Sequence, residues 1–452
     1  MDLKALLARK LVVPFYERRW GTHPGPLMGS LQQSQYEEPE KLRDAQWTQV
    51  KHLLEFVHAS NPFYQGRLRS VGVAPQDLRE WKDFEAIPLL TKEDIRSRAD
   101  DLLSQGHSRE RMFHKRTGGS TGVPVHLYWD DGAHRFKSAI VKRHDLWAGY
   151  RPGIKRAALW GDTEKDYPLK LRVYKALCER TIYLDTLKMD DVHLDAFVGR
   201  IRRFRPEILI GHAHSLYFFT EYLIEQGVED VHFKGLISTA ETLVPPERAL
   251  VESYFGKILF DRYGCEEVSL IASECESHDG LHIGAEGLYV EVLGGDETTP
   301  GRVVVTDLVN RGMPFIRYEV GDLATLATGR CSCGRGLPRL GRVFGRISDI
   351  LYAPDGRKIS GVSILDTFLI HVRGVRQAQI VQEALDHVTL RIVKDSGFGP
   401  ATIEQLESTV RKVFGPAMRH DIDYVDAIAP TPRGKYQFSI CEVDPSQTSR
   451  ST

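Results

Sequence analysis

The stretch Arg116-Thr117-Gly118-Gly119-Ser120-Thr121-Gly122-Val123-Pro124 decides how the 452-residue chain is interpreted. Its glycines allow positive φ angles and a close backbone approach to a ligand. Successive N–H groups in such a loop form a concave site for anions, and the hydroxyls of Thr117, Ser120 and Thr121 add donors. The strand-like residues 124–129 follow, so we expect the loop at the edge of a sheet. These features indicate a phosphate chain as the ligand. A plain surface turn is an equally good interpretation, because the stretch contains neither a Walker loop nor a G-x-G-x-x-G motif.

The composition indicates an ordinary globular protein and argues against several classes of partner. Hydrophobic residues make up 42% and charged residues 27% of the chain, which is ordinary for a globular protein. Lys and Arg number 60 against 61 Asp and Glu. This balance argues against nucleic acid or an anionic membrane as the main partner. No bilayer-spanning run or secretory leader is evident, so we expect a cytoplasmic protein. Six cysteines are too few for a disulfide scaffold.

The hydrophobic pattern predicts an α/β protein. Helices are expected over 40–70, broken at Asn61-Pro62, and over 133–147, and Thr91 with Asp94 predicts a helix-starting capping box. Strands and helices alternate from 156 to 261, which favours a sheet covered on both faces, with ligands at the carboxyl ends of its strands. Strands at 288–293 and 301–306 predict a small β subdomain.

The last hundred residues predict a separate α+β unit, with strands at 377–382, 388–393 and 421–425 and a helix at 402–413. We therefore divide the chain into an N-terminal domain over 1–345, a C-terminal domain over 346–445 and a disordered tail over 446–452.

Further motifs suit a nucleotide. Tyr263 and Glu267 follow a strand, where a ring can stack on a purine and a carboxylate can hold Mg²⁺. Asp322 follows a glycine turn and can accept both ribose hydroxyls. Arg346 marks the domain boundary, and Lys435 is presented by a proline/glycine loop. Each motif alone is weak, because turns and solvated lysines are common.

In this order and at these separations, the motifs resemble the adenylate-forming acyl ligase superfamily, and within it the phenylacetate–CoA ligase and CapK-like branch. The resemblance runs from about residue 47 to Glu442. It implies a large N-terminal adenylate-forming domain, built of α/β sheets plus a small β subdomain, with a small mobile α+β C-terminal domain.

The resemblance also assigns roles. Lys435 and Glu267 are expected to be catalytic, with Glu267 holding Mg²⁺. ATP is expected to contact the phosphate loop (Thr117, Gly118, Gly119, Ser120, Thr121, Gly122), the adenine-side loop (Ala240, Glu241), Tyr263, Asp322 and Arg346. The chain departs from the family pattern in three places: Val125 replaces a lysine, Glu266 precedes Glu267, and Ser348 with Asp349 occupies the hinge.

The implied reaction joins a carboxylic acid, expected to be aromatic, to ATP. The acid becomes an acyl-AMP with release of pyrophosphate, and coenzyme A then takes the acyl group. Transfer to an amine, giving an amide, is the alternative, and a non-catalytic nucleotide-binding homologue is a third. Neither nucleic acid nor membrane is an expected partner, and a homodimer would suit the branch.

A cysteine and histidine cluster predicts a structural zinc site. In a cytosolic chain, Cys331 and Cys333 with the upstream Cys275 and His282 can complete a tetrahedral Zn²⁺ site, with His278 as a spare ligand. Phenylacetate–CoA ligase-like proteins carry a similar pattern. The alternative is a set of reduced core thiols.

Four residues near the ligand edge of the sheet are candidates for the acid pocket. His212 and His214 follow a strand and can bind a polar group of the substrate, and Trp160 and Tyr217 can line an aromatic pocket. Exposed loop histidines and ordinary core aromatics are the competing interpretation.

Overall fold

The computed structural model describes residues 3–19, 26–116, 126–160, 172, 174–186, 189–346, 350–355, 358–360, 372–429 and 437–443. The statements below concern these residues.

The helices lie mainly in the first 260 residues. In chain order they are α1 (Leu3–Leu7), a π-helical turn (Ala8–Val12), α2 (Val13–Arg19), α3 (Pro26–Ser34), α4 (Pro39–Ser60), α5 (Pro62–Ser70), α6 (Trp81–Glu85), α7 (Lys92–Ser97), α8 (Asp131–Trp147), a second π-helical turn (Lys175–Glu179), α9 (Asp191–Phe204), α10 (Ala213–Glu225), α11 (Pro245–Phe255) and α12 (Pro400–Phe414). Short 3₁₀ turns cover Pro75–Asp77 and Arg109–Arg111. None of these helices is long and apolar enough to cross a bilayer.

Local chemistry explains where the early helices begin. The Asn61 side chain accepts a hydrogen bond from the Tyr64 N–H and starts α5, so the predicted break between two helices is confirmed. The Thr91 hydroxyl accepts from the Asp94 N–H, while the Asp94 carboxylate accepts from the Thr91 N–H. This is the predicted capping box, and it begins α7.

The strands form one large sheet and three small ones. They are β1 (Phe113–Arg116), β2 (His126–Trp129), β3 (Arg156–Leu159), β4 (Thr181–Leu184), β5 (Ile208–His212), β6 (Gly235–Thr239), β7 (Leu259–Cys265), β8 (Ser269–Glu274), β9 (Leu281–Ile283), β10 (Leu288–Leu293), β11 (Gly301–Asp307), β12 (Tyr318–Ala327), β13 (Arg339–Arg346), β14 (Ile350–Tyr352), β15 (Lys358–Ser360), β16 (Val375–Ala384), β17 (His387–Lys394), β18 (Arg419–Tyr424) and β19 (Ser439–Cys441).

The large sheet has 11 strands in the order β10-β11-β12-β13-β9-β8-β7-β6-β5-β3-β4. Strands β4, β3, β5, β6 and β7 are parallel, as the strand–helix alternation predicts. From β7 onward the pairing is antiparallel. The antiparallel strands expected as a small β subdomain are thus continuous with the parallel half. The seven-residue strand β7 joins them, because it is long enough to pair with β6 at one end and β8 at the other.

The C-terminal residues form the predicted α+β unit. Strands β18-β17-β16-β19 make a sheet, and the apolar face of α12 packs on it through Leu406, Val410 and Phe414. One residue of the N-terminal part, Val244, joins this core and is almost fully buried there. The two parts of the chain therefore touch at the start of α11.

Candidate functional site

The carboxyl edge of the parallel strands gathers several of the predicted residues. Leu159 of β3 pairs with Gly211 of β5, so the residues that follow them are neighbours: the Trp160 and His212 rings lie 4.6 Å apart. His212 in turn pairs with Thr239 at the end of β6. Because parallel strands end at one edge, Ala240 and Glu241 emerge beside this aromatic pair. Ala240 has a φ of 68°, a left-handed conformation that costs an alanine roughly 1–2 kcal/mol.

Two residues predicted to hold adenosine are in direct contact. The Tyr263 hydroxyl of β7 donates a 2.7 Å hydrogen bond to Asp322 Oδ2 of β12. Burial, followed by the neighbouring Asp322 carboxylate, raises the pKa of Tyr263, so the phenol stays protonated and donates. Since 59 positions separate these residues, their meeting is a consequence of the fold rather than of local sequence.

Glu267 lies in a small polar cluster. It is buried, and its Oε1 accepts a 3.1 Å hydrogen bond from the Tyr318 hydroxyl. Lys92 Nζ lies 3.7 Å from the same oxygen. The ammonium partly offsets the buried negative charge. A carboxylate oxygen is a ligand that Mg²⁺ prefers, so the residue types fit the predicted ion, with phosphate oxygens needed to complete its coordination.

The predicted phosphate loop, from Thr117 to Gly122, lies outside the described residues, but its two flanking strands are described. Arg116 of β1 pairs with His126 of β2, so the loop joins two adjacent antiparallel strands. The Trp129 indole at the end of β2 donates a 3.2 Å hydrogen bond to the Glu267 carbonyl. This bond ties the loop's supporting strand to the proposed magnesium ligand.

The C-terminal catalytic and hinge positions are only partly described. Lys435, Ser348 and Asp349 lie outside the described residues. The Arg346 backbone pairs with Asp322 across β12 and β13, so the predicted domain boundary begins directly beside the proposed ribose ligand.

The candidates for the acid pocket divide into two groups. Trp160, 37% exposed, and the buried His212 lie together at the sheet edge. The His214 ring instead pairs through Nδ1 with the buried Glu247 of α11. The backbone N–H of His214 donates a 3.2 Å hydrogen bond to Glu241 Oε2. Burial lowers the pKa of His214, but Glu247 and then Glu241 outweigh it and raise the value to about 9. His214 is therefore a cation that joins α10, α11 and the adenine-side loop.

Tyr217 also forms a hydrogen bond with a carboxylate. Its hydroxyl donates a 2.5 Å hydrogen bond to Glu221 one turn further along α10. Burial raises the pKa of Glu221 to about 7 despite this hydrogen bond. The pair places a polar group on the helix that begins at the acid-pocket edge.

The four predicted zinc ligands come together. One ligand atom from each of Cys275, His282, Cys331 and Cys333 lies within 4.8 Å of the others. Cys275 Sγ is 3.7 Å from Cys331 Sγ, and Cys333 Sγ is 3.3 Å from His282 Nε2. Tetrahedral Zn²⁺ with bonds of about 2.0–2.3 Å requires ligand separations of roughly 3.5–3.8 Å, so the cluster is close to the size it needs.

The surroundings of the cluster also suit a metal. His282 Nδ1 faces the Leu337 carbonyl at 3.3 Å, which directs Nε2 towards the thiols. The N–H groups of Ser277 and Arg335 point at the sulfurs of Cys275 and Cys333. The spare ligand His278 instead faces the Glu274 carboxylate at 3.3 Å. All six cysteines are free thiols, and burial raises the pKa of Cys265.

Sequence reasoning missed Lys92 and Tyr318, the two residues that hold the Glu267 carboxylate. Lys92 is the first residue of α7, whose capping box was recognised, so its position was predicted but its partner was not. Tyr318 begins β12, and the glycine and Asp322 that were expected in a turn lie within the same strand. The useful signal is a polar residue at a helix start or strand start near a known motif, but only the tertiary structure shows the contact.

The chain is similar in sequence to known proteins. Residues 351–442 match the family model described as the CapK C-terminal domain. The chain is 27% identical to a phenylacetate–coenzyme A ligase of Thermus thermophilus, over 73% of this chain and 74% of the relative. It is 21% identical to protein CapK of Staphylococcus aureus, over 90% of this chain and 92% of that protein.

A solved structure shows the same fold. A 2-hydroxyisobutyryl-CoA ligase in the postadenylation state, in complex with an acyl-AMP, superposes with a TM-score of 0.69. The superposition covers 90% of each chain at 22% identity.

The fold and the matched relatives define an adenylate-forming ligase, an enzyme of the AMP-forming acid ligase class. Within that class, the chain is similar in sequence to phenylacetate–CoA ligase and to CapK, and its C-terminal residues match the CapK C-terminal domain.

Proposed function

We propose that this enzyme activates a small aromatic carboxylic acid as its acyl-AMP and transfers the acyl group to coenzyme A. The observation that carries the proposal is the 2.7 Å hydrogen bond between Tyr263 and Asp322. It joins the ring expected to stack on adenine to the carboxylate expected to accept the ribose hydroxyls, next to the buried Glu267.

In the first step, a substrate carboxylate oxygen attacks the α-phosphorus of ATP. The new O–P bond replaces the bond to the β-phosphate oxygen, and pyrophosphate leaves. Negative charge grows on the phosphoryl oxygens, and cationic groups in a site that excludes water stabilise it strongly. Lys435 would supply this charge from the C-terminal domain, while Lys92 pairs with the Glu267 carboxylate. When bound at Glu267, Mg²⁺ supplies Lewis-acid stabilisation of the phosphates.

In the second step, the thiolate of coenzyme A attacks the acyl carbon and AMP leaves with the former carboxylate oxygen. The thioester keeps the acyl group, and the proton of the thiol is released. This step needs no phosphate chemistry, so it can use another placement of the C-terminal domain, which we propose turns near Arg346.

The aromatic preference rests on Trp160 and His212. Their rings form a tilted pair at 4.6 Å beside the adenine-side loop, and Trp160 keeps more than a third of its surface exposed. An aromatic acid can add to this pair by offset or edge-to-face packing, worth about 0.5–1.5 kcal/mol beyond the area buried.

The test is pyrophosphate release from ATP and Mg²⁺ across a panel of aromatic and aliphatic acids. We expect acid-dependent release that is abolished in Lys435→Ala and retained in Lys412→Ala, a matched change at an exposed lysine of the same domain. Thioester and AMP formation on adding coenzyme A would identify the acceptor. A stimulation by amines instead would support amide formation. Normal ATP binding without release for any acid would favour a non-catalytic homologue.

Zinc is proposed as a structural ion held by Cys275, His282, Cys331 and Cys333. Four protein ligands fill a tetrahedral site and leave no position for a substrate. The ligands come from the end of β8, from β9 and from the loop before β13. A bound ion would therefore cross-link these parts of the antiparallel half of the sheet.

A further inference from the structure

The N-terminal helical segment is fixed on the protein by one face. Residues 3–19 are helical throughout α1, the π-helical turn and α2. Ala5, Ala8 and Val13 are buried, with Ala8 and Val13 packing against Cys178. The backbones approach so closely that a Cβ added at Gly153 would lie 2.9 Å from Ala5 Cα. This contact defines which side of the segment faces outward.

The outward side carries a row of large apolar residues. Leu7, Leu11 and Phe15 recur every four residues and are 53%, 63% and 67% exposed. A four-residue spacing places them on one side of a helix. The neighbouring π-helical turn, Lys175–Glu179, packs against this segment and leaves Leu177 exposed as well. A row of this kind is unusual on a surface that faces only water.

The same segment carries an excess of positive charge. It contains five basic residues (Lys4, Arg9, Lys10, Arg18, Arg19) and one acidic residue (Glu17), although the whole chain has a net charge of −1. Lys10 and Arg18 are exposed beside the apolar row. A second copy of this face would bring like charges together, whereas anionic lipid headgroups would attract them.

We propose that residues 3–19 bind an anionic membrane surface, with Leu7, Leu11 and Phe15 entering the interface and the exposed Lys10 and Arg18 contacting headgroups. A short helical segment that is docked on a protein by its inner side and carries apolar and basic residues on its outer side lies in the plane of the interface and does not span the bilayer. The proposal departs from the expectation based on overall charge, because near-neutral net charge averages away a local basic segment. It is independent of the catalytic proposal.

The test is co-sedimentation of the full chain with vesicles of phosphatidylglycerol and phosphatidylcholine, compared with vesicles of phosphatidylcholine alone. We expect binding to the anionic vesicles that weakens as salt is raised. The double variant Leu11→Ser/Phe15→Ser should bind at least about tenfold more weakly, because two apolar side chains no longer leave water. Ile224→Ser is the matched control, since Ile224 is 45% exposed on α10.

The melting temperature of the double variant should equal that of the natural chain, which checks that the fold is intact. Failure to bind anionic vesicles, or equal binding by the double variant, overturns the proposal. A dimer in light scattering that the double variant abolishes also overturns it, and assigns this face to a second copy.

Discussion

At the scale of single residues, the contact between Tyr263 and Asp322 is the centre of the proposed nucleotide site. Tyr263→Phe keeps the ring for stacking but removes the hydroxyl that holds the carboxylate. A neutral-to-charged hydrogen bond contributes about 1.5–3 kcal/mol. We expect nucleotide affinity to fall by roughly tenfold in calorimetric titration with ATP, and Tyr263→Ala to lose more.

The control is Tyr254→Phe, which removes a hydroxyl bonded to the Val228 carbonyl away from the strand ends. Equal ATP affinity in Tyr263→Phe and the natural chain would show that the hydroxyl does not position the ribose ligand.

His214 should make stability depend on pH. Its pKa is raised from the usual 6.5 to about 9, chiefly by Glu247 against the opposing effect of burial. A raised folded-state pKa gives stability that is complete below pH 6.5 and is lost as pH rises through 9. A shift of this size corresponds to on the order of 3 kcal/mol.

Glu247→Gln should therefore be less stable than the natural chain at pH 6.5, and the difference should shrink by pH 9 when thermal unfolding is followed. Glu252→Gln on the same helix removes a partner of Arg248, which does not titrate in this range. Its effect should stay constant with pH, and a constant effect for Glu247→Gln as well would contradict the ion pair.

The same residues show what a sequence can predict about a site. Tyr263, Glu267 and Asp322 were recognised because each belongs to a short motif, although Tyr263 and Asp322 lie within strands β7 and β12 and not after them. Lys92 was not connected to Glu267, because 175 positions separate them and no local pattern records that distance. His214 was placed correctly at the strand end, but its pairing with Glu247 depends on how α10 packs against α11.

At the scale of elements, the zinc cluster should stabilise the antiparallel strands. Cys333→Ser replaces a thiolate ligand by a poor one, since neutral hydroxyls bind Zn²⁺ weakly. We expect the natural chain to hold one zinc ion by elemental mass spectrometry, and the variant to lose it and melt at least about 5 °C lower.

Cys441→Ser, at a half-buried cysteine on β19, is the matched control and should keep the metal. A metal-free natural chain with the same melting temperature as Cys333→Ser would instead identify the cluster as reduced core thiols.

Most individual elements could be predicted from the sequence, because each depends on its own hydrophobic period and end signals. The strand predicted over 288–293 has the bounds seen in the structure, and the helix predicted over 402–413 lies within α12. The continuity of the two halves of the sheet could not be predicted. It depends on the pairing of β7 with both β6 and β8, which is a long-range choice of register.

The N-terminal helices α1 and α2 were also missed. Leu6, Leu7, Leu11, Val12 and Val13 surround most of this helical segment, so no single apolar face marks it in the sequence. Only the packing of Ala5 and Ala8 against the protein separates its inner side from its outer side.

At the scale of the whole molecule, Val244 should influence the balance between two positions of the C-terminal unit. It follows the adenine-side loop and is buried in the hydrophobic cluster of the C-terminal unit, which includes Leu351, Val372 and Phe438. If that unit turns between adenylation and thioester formation, the contact between Val244 and the unit forms in only one of its two positions. Val244→Ser removes an apolar contact worth about 1–2 kcal/mol, enough to shift the balance of the two placements roughly tenfold.

We therefore expect Val244→Ser to slow one half-reaction by several-fold and to leave the other nearly unchanged. Single-turnover assays of pyrophosphate release and of thioester formation from preformed acyl-AMP separate the two steps. Val192→Ser, at a residue 77% exposed on α9, is the matched control. An equal loss in both half-reactions, together with a lower melting temperature, would show that Val244 serves the fold of the molecule and not the exchange between its domain placements.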